Sequence, residues 1–258
     1  MQARTLFLLS DFGTSDTYVA QMKAAVLRTA PVGTSIVDLT HDIEAGSVME
    51  GAFHLYASLQ AIPPGSVVVA VVDPGVGTER HGIICRAGGI FFAGPDNGIF
   101  SLLPVDKAWR LPRLPSDSCA TFHGRDLFAP AGARLLINPG WVNSLESIDP
   151  GILVSLEIRP PEETEEGCHA TVAHIDRFGN VVLWLSPSDA DGFHPSEIRL
   201  PAGGIVPVTR VKTYGNRQGL LFLAGSQGCM ELSLSCGRAS SILGVSAGDR
   251  ILLKRSIR

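Results

Sequence analysis

The sequence predicts an α/β N-terminal domain, in which helices flank a central, mostly parallel sheet, followed by a smaller C-terminal β-barrel domain. Two observations support this prediction. Short apolar runs alternate with amphipathic stretches in the first half of the chain, and closely spaced strand patterns fill the second half. We expect the domains to cover residues 1–158 and 168–258. The length of 258 residues and the hydrophobic content of 45% are sufficient for a substantial core.

The N-terminal half alternates strand and helix patterns. Short apolar runs predict strands at residues 6–9, 35–39, 67–72, 82–86 and 90–93. Amphipathic segments predict helices at residues 16–28, 47–59 and 127–136. This order is typical of parallel strands that are joined by helical crossovers.

A change of composition marks the expected boundary between the domains. Residues 159–167 combine Pro160-Pro161 with four glutamates and contain no large apolar residue, which is typical of a linker. Beyond them a single short helix is predicted at 239–243. The predicted strands of this half lie at residues 170–175, 181–185, 205–211, 220–224, 230–234 and 251–254.

The net charge and the hydropathy of the chain argue against several classes of function. The net charge of −4 and pI near 6.0 argue against binding to nucleic-acid phosphate or to an anionic membrane, so we expect a small-molecule partner. The longest apolar run, at 67–72, is too short to cross a bilayer, and no secretory signal is evident, which predicts a cytoplasmic protein.

The cysteines and histidines do not indicate a metal site or a disulfide framework. The cysteines form an odd set without a C-x-x-C pair, and we expect buried free thiols. The five are Cys85, Cys119, Cys168, Cys229 and Cys236. No two of the seven histidines have the spacing of H-E-x-x-H, so no metal is expected.

Polar residues follow several predicted strands, at the edge where open α/β sheets bind their ligands. The segments are 10–13 (Ser-Asp-Phe-Gly), 73–80 (Asp-Pro-Gly-Val-Gly-Thr-Glu-Arg) and 94–98 (Gly-Pro-Asp-Asn-Gly). None has the pattern G-x-x-x-x-G-K-[ST] or G-x-G-x-x-G. A nucleoside triphosphate or dinucleotide is therefore not expected.

Five candidate residues, including two histidines outside these segments, have both a structural and a functional interpretation. Asp11 either caps the turn into the next helix or accepts the two hydroxyls of a ribose. The glycines between Asp73 and Arg80 allow these residues to meet, either as a structural ion pair or within a ligand pocket. His123 is either a core or capping histidine or a catalytic group. For His41, a solvated turn is preferred over a functional role.

Six short motifs follow one another along the chain: LLSDFGT at 8–14, DPGVGT at 73–78, PDNG at 95–98, TFHGRD at 121–126, IDRFGN at 175–180 and GD at 248–249. In this order they resemble the family of S-adenosylmethionine (SAM) hydrolases, also called hydroxide adenosyltransferases, which is related to the fluorinases and chlorinases. The resemblance implies a homotrimer whose active sites lie where the N-terminal domain of one subunit meets the C-terminal domain of a neighbour. It implies no cofactor, since SAM is the substrate.

The same resemblance implies roles for N-terminal residues. Asp73, Arg80 and His123 match the hydrolytic Asp-Arg-His set of the family. Asp11 matches the carboxylate that holds the ribose 2′- and 3′-hydroxyls. Asn97 and Phe122, which lie within two of the motifs, are expected to bind substrate as well.

In the C-terminal domain the resemblance assigns most of the substrate contacts. Asp176 matches the residue that pairs with the methionine ammonium, and Phe178 and Asn180 match residues around the adenine. Ser226-Gln227 matches the pair that holds the methionine carboxylate, and Cys236 is an additional expected contact.

Two segments depart from the family pattern. Residues 235–238 (Ser-Cys-Gly-Arg) replace the Asn-Gln-Gly-Ser of many members, and Leu183-Trp184 replaces a more polar pair. These departures affect the contacts expected at the adenine edge.

The expected reaction is attack of an activated water on the ribose C5′ of SAM, which releases adenosine and methionine. The sequence leaves open whether Asp73 or His123 is the base. Two alternatives are a protein that binds SAM or adenosine without catalysis, and a SAM-dependent halogenase. Halogenase relatives lack the ionisable Asp and Arg and carry an additional loop, whereas this chain retains Asp73 and Arg80.

Overall fold

The chain forms two compact units, at residues 1–156 and 157–258, in a computed structural model that describes residues 5–114, 121–201, 203–215 and 217–255. The predicted domain boundaries and the linker at 159–167 stay a prediction. Cys119 lies outside the described residues. Within the described residues, no helix is both long and apolar enough to span a membrane.

Within residues 5–114 and 121–156, the N-terminal unit contains a seven-stranded sheet and three α-helices. The strands are β1 (Thr5–Ser10), β2 (Ser35–Thr40), β3 (Val67–Val71), β4 (Gly82–Ala87), β5 (Ile90–Pro95), β6 (Val105–Arg110) and β7 (Glu146–Ile148). The helices are α1 (Tyr18–Leu27), α2 (Val48–Ser58) and α3 (Ala129–Ile137).

The sheet is mixed, so the prediction of a mostly parallel sheet was wrong. Its order is β2-β1-β3-β5-β4-β6-β7; the first four strands are parallel, and β4, β6 and β7 pair antiparallel. Gly88-Gly89 joins β4 directly to β5, and a two-residue connection can only join antiparallel strands. The prediction also failed because it did not include β6, which pairs antiparallel with β4. This strand was missed because charged residues interrupt its apolar pattern.

Strand β3 lies at the centre of the core and is buried at every position. Val67, Val69 and Val71 pack in one apolar cluster with residues of α1 and α3, and the alternate side chains of the strand pack in a second cluster on the opposite face. A Cβ added at Gly132 of α3 would lie 2.6 Å from Val69 Cγ2. The absence of a side chain at Gly132 therefore lets α3 approach the sheet closely.

The described part of the C-terminal unit is a β-barrel with one added strand. Strands β9 to β15 close a seven-stranded ring in the order β10-β14-β13-β12-β11-β15-β9, and β8 pairs with β9 outside the ring. This confirms the barrel prediction, although β11 was not predicted. The elements are β8 (Glu162–Glu163), β9 (Gly167–Ile175), β10 (Val181–Leu183), β11 (Pro195–Arg199), β12 (Ile205–Arg210), β13 (Leu220–Ala224), β14 (Met230–Leu234), α4 (Ala239–Leu243) and β15 (Arg250–Arg255).

Candidate active site

A short loop between β3 and β4 brings Asp73 and Arg80 together. The loop folds back through hydrogen bonds from Val76 N to Asp73 O (3.2 Å) and from Thr78 N to Gly75 O (3.2 Å). Nε of Arg80 donates to Oδ1 of Asp73 at 2.8 Å, and Nη2 of Arg80 donates to Oδ2. The two side chains are only 5% and 10% exposed. Asp73 and Arg80 thus form a bidentate, largely buried ion pair.

His123 completes this group from a distant part of the sequence. It precedes a π-helical turn (Gly124–Phe128) that leads into α3. Nη2 of Arg80 lies 2.7 Å from Nδ1 of His123. A guanidinium can only donate, so Nδ1 accepts this hydrogen bond and the proton of the neutral imidazole is on Nε2.

The surroundings of His123 favour its neutral form. Burial and the positive charge of Arg80 lower the pKa of His123, and the negative charges of Asp73 and Asp126 oppose this shift only in part. The group therefore contains one fixed cation, one carboxylate and one neutral imidazole.

Aromatic rings form the wall of a cavity next to these groups. The ring of Phe122 meets the ring of Phe12 with centroids 5.6 Å apart and the ring of Tyr18 with centroids 5.4 Å apart. The cavity has a volume of about 200 Å³. It is lined by Phe12, Tyr18, Val71, Asp73, Val76, Thr121, Phe122, His123 and Gly124.

Asp11 and Asn97 lie in the loops that follow β1 and β5. Oδ2 of Asp11 accepts a hydrogen bond from Gly46 N at 2.8 Å. Nδ2 of Asn97 donates to the carbonyl of Val72 at 2.8 Å, and its Oδ1 accepts from Ile99 N at 3.3 Å. In this structure Asn97 therefore supports the backbone just after β3. Its expected contact with substrate stays a prediction.

In the C-terminal unit, a tight loop between β9 and β10 brings Asp176 and Asn180 together. Oδ1 of Asp176 accepts from the backbone N of Asn180 and Oδ2 accepts from its Nδ2, both at 2.8 Å. The ring of Phe178, at the tip of this loop, is 75% exposed. The loop therefore presents an ordered carboxylate and an aromatic ring that is free to stack on a ligand.

The remaining expected contacts lie near the two ends of β14. The pairing of Val181 with Leu232 places the 176–180 loop beside the carboxyl end of that strand, which Cys236 follows. Ser226 and Gln227 lie in the turn before the strand, closed by a hydrogen bond from Gly225 N to Cys229 O of 2.8 Å. Strand register thus places Cys236 near the loop and Ser226-Gln227 toward the other end of β14.

Comparison with known protein families accounts for nearly the whole chain. The model of the SAM hydroxide adenosyltransferase N-terminal domain matches residues 6–141, and that of the C-terminal domain matches residues 170–252. The chain belongs to the SAM hydroxide adenosyltransferase family. The resemblance stated from the sequence motifs is thereby confirmed.

Curated proteins and a solved structure resemble this chain over most of its length. It is 37% identical to an (R)-S-adenosyl-L-methionine hydrolase of Salinispora tropica, covering 94% of each chain, and 36% identical to one of Thermus thermophilus, covering 97% of this chain and 99% of that one. A fluorinase of Nocardia brasiliensis is only 22% identical over 77% of this chain. The crystal structure of an uncharacterised conserved protein from Thermotoga maritima superimposes with a TM-score of 0.87 at 28% identity, covering 95% of this chain and 98% of that one.

Two features of the chain were missed in the sequence. Tyr18 lines the cavity with Phe12 and Phe122, and its position in the first turn of α1, shortly after the 10–13 segment, could have indicated this. Glu231 is 8% exposed and accepts hydrogen bonds from the hydroxyls of Tyr214 and Ser233. A carboxylate within the apolar pattern of β14 was the available signal for this second feature.

Proposed function

We propose that this protein hydrolyses SAM to adenosine and methionine, by attack of water on the ribose C5′. The meeting of Asp73, Arg80 and His123 at the wall of one aromatic cavity carries this proposal. Relatives that are 36–37% identical over nearly the whole chain bear the name (R)-S-adenosyl-L-methionine hydrolase. The substrate carries its own leaving group, so the proposal includes no cofactor.

The chemistry places a simple demand on the protein. The water oxygen forms a bond to C5′ while the C5′–S bond breaks, and the electron pair of that bond neutralises the sulfonium to give the thioether of methionine. The water loses one proton, and its oxygen becomes the 5′-hydroxyl of adenosine. Because the sulfonium is already a good leaving group, catalysis consists of positioning the water and accepting that proton.

Hydrogen-bond geometry favours Asp73 as the group that accepts the water proton. Nδ1 of His123 is occupied by Arg80 and its Nε2 carries a hydrogen, so the neutral imidazole has no free lone pair. Each oxygen of Asp73 accepts one hydrogen bond from Arg80 and keeps a second lone pair. In this proposal Arg80 stabilises the developing hydroxide, Asp73 receives the proton, and His123 orients Arg80.

The aromatic wall suits a cationic substrate. Ring faces attract cations, and a sulfonium is only weakly hydrated, so Phe12, Tyr18 and Phe122 are proposed to hold it near the reacting water. Asp11 would then bind the ribose hydroxyls. The cavity volume of about 200 Å³ is below the roughly 300–1,000 Å³ of whole-ligand pockets. This supports a site that a second subunit completes.

The other parts of the proposal rest on the family resemblance. They are the homotrimer, the cytoplasmic location, and binding of the amino-acid and adenine parts of SAM by Asp176, Phe178, Asn180, Ser226, Gln227 and Cys236. The hydrogen bonds between Asp176 and Asn180 hold the Asp176 carboxylate in place, which supports the proposed contact of Asp176 with the amino-acid part of SAM.

Incubation of the purified protein with each sulfonium epimer of SAM, followed by chromatography, tests the proposal. We expect adenosine and methionine in equal amounts from the (R) epimer, and incorporation of ¹⁸O from labelled water into the 5′-hydroxyl. Fluoride and chloride should give no 5′-halogenated nucleoside. Tight binding of SAM without adenosine release would contradict the proposal and support a non-catalytic binding protein.

Arg80→Lys is the informative variant for this assay, because it keeps the charge and removes the bidentate geometry. We expect kcat to fall about 10²- to 10³-fold, as when one donor to a developing oxyanion is lost, and SAM binding measured by calorimetry to change little. Arg86→Lys is the matched control, since Arg86 of β4 forms a similar but more exposed pair with Asp106. It should retain full activity.

A further inference from the structure

A buried polar pair, Ser10 and His41, lies next to the Asp11 turn. Ser10 ends β1 and is 0% exposed, and His41 follows β2 and is 4% exposed. Oγ of Ser10 lies 2.7 Å from Nδ1 of His41. The preference for a solvated turn at His41 was therefore wrong: β1 and β2 pair in parallel, so their carboxyl ends meet and enclose this side chain.

Both members of the pair contact the backbone of the Asp11 turn. Phe12 N–H donates to Oγ of Ser10 at 3.4 Å, and Gly13 N–H donates to the carbonyl of His41 at 2.8 Å. The Asp11 carboxylate accepts from Gly46 N at 2.8 Å. These contacts restrain three successive residues, of which Asp11 is the expected ribose ligand and Phe12 lines the cavity.

Two further polar residues, Asp38 and Lys23, extend the Ser10–His41 pair toward the surface. Nε2 of His41 lies 3.2 Å from Oδ1 of Asp38, although the two groups are not aligned for a hydrogen bond. Nζ of Lys23 donates to Oδ2 of Asp38 at 2.6 Å. Burial raises the pKa of Asp38, but interactions with Lys23 and His41 outweigh it and lower the pKa overall. The ionised carboxylate favours a proton on Nε2, which leaves Nδ1 to accept from the Ser10 hydroxyl.

The order Ser10–His41–Asp38 has the form of a serine hydrolase triad, but its burial excludes that role. A nucleophilic serine must reach the substrate, and Ser10 has no exposed surface. Its hydroxyl instead faces the turn that carries Asp11 and Phe12.

We propose that Ser10 and His41 are positioning residues, which hold the Asp11–Phe12 backbone in the geometry that binds the nucleoside of the substrate. This proposal rests on the proposed function. The proposal predicts that removal of the Ser10 hydroxyl weakens substrate binding because it displaces Asp11. In a variant that already lacks the Asp11 carboxylate, removal of the Ser10 hydroxyl should have no further effect.

A double-mutant cycle tests this dependence. Ser10→Ala should raise KM for SAM about three- to tenfold, the range expected for one lost buried hydrogen bond, with little change in kcat. In an Asp11→Asn background the same substitution should change KM less than twofold by the same reasoning. An equal rise in both backgrounds would overturn the proposal, because a merely structural effect does not depend on Asp11.

Ser66→Ala is the matched control. Ser66 is 4% exposed and immediately precedes β3. At that end of β3, Val67 pairs with Leu6 of β1. Ser10 pairs with Val71, at the opposite end of the two strands. The control therefore removes a buried hydroxyl next to the same sheet, at the end away from Ser10. It should leave KM unchanged in both backgrounds.

Hydrogen exchange of the protein without substrate separates this proposal from the proposed function. The amides of Phe12 and Gly13 should exchange faster in Ser10→Ala than in wild type or Ser66→Ala. His41→Asn, which keeps a polar group near Ser10, should have an intermediate effect and replaces Ser10→Ala if that variant does not fold. Unchanged exchange would overturn the positioning role even if SAM is hydrolysed. Faster exchange in a protein that releases no adenosine would retain the role and reject the proposed function.

Discussion

Nη2 of Arg80 donates a hydrogen bond to Nδ1 of His123 at 2.7 Å, and this contact requires a neutral imidazole. In the imidazolium, Nδ1 also carries a proton, so two donors and two positive charges would face each other. Burial and the charge of Arg80 already lower the pKa of His123 below its ordinary value of 6.5. The state in which His123 orients Arg80 is thus the state that dominates at neutral pH.

The first prediction concerns the pH dependence of hydrolysis. Because the pKa of His123 is lowered, its neutral form persists above pH 6.5 and is lost only as the pH falls through a lower value. We expect kcat/KM to be constant above pH 6.5 and to decline below it, measured from about pH 5 to pH 8. In His123→Gln, which cannot titrate, this acid limb should be absent. A decline of kcat/KM with a midpoint above pH 6.5 would contradict the role of neutral His123 in orienting Arg80.

The second prediction concerns the stability of the Asp73–Arg80 pair. Arg80→Ala leaves a carboxylate that is only 5% exposed without its cation, so the free energy of unfolding should fall by about 3–5 kcal/mol. Adding Asp73→Asn to this variant removes the charge and should restore part of the loss. Urea denaturation measures both changes. The exposed pair of Arg86 and Asp106 provides the control, and Arg86→Ala should change stability little.

Much of the fold follows from the sequence because burial dominates its apolar segments. The strands at 67–71 and 220–224 are nearly continuous apolar runs, and both lie where they were predicted. Strand β6 was missed because Asp106 and Lys107 lie on its exposed positions, so its pattern does not reveal the neighbour that it pairs with. Strand direction also depends on connections, and the two-residue link at Gly88-Gly89 carried that information.

The candidate site could be predicted only in part, because some of its contacts depend on how distant segments pack together. The glycines at 75 and 77 indicated that Asp73 and Arg80 could meet, because a flexible loop of this kind folds back on itself. No local pattern indicates that His123 contacts Arg80, since that depends on how α3 packs against β3. The burial of His41 likewise depends on the pairing of β1 with β2, which neither segment encodes alone.

The third prediction is that hydrolysis needs no divalent metal ion. The substrate supplies positive charge at the leaving group, and Arg80 supplies it beside the attacking water, so charge is dispersed as the bond forms. Dialysis against EDTA should leave kcat/KM unchanged. Activity that disappears with the chelator and returns with Mg²⁺, Mn²⁺ or Zn²⁺ would contradict this prediction.

The fourth prediction concerns Asp176 and the amino group of the substrate. Asp176→Asn keeps the size of the side chain but removes the charge proposed to pair with the ammonium, and it places an amide against the Asn180 donors. We expect KM to rise about tenfold or more, consistent with loss of a charge-assisted hydrogen bond, and kcat to change much less because C5′ is remote from the amino group.

Asp189→Asn is the control for this variant, since Asp189 is an exposed carboxylate of the same unit that accepts a hydrogen bond from Ser186. A SAM analogue without the amino group gives the decisive comparison. Wild type and Asp176→Asn should bind it equally, because neither can then form the ion pair. If Asp176→Asn weakened binding of this analogue as much as binding of SAM, the residue would act by ordering its own loop, and the proposed ammonium contact would be wrong.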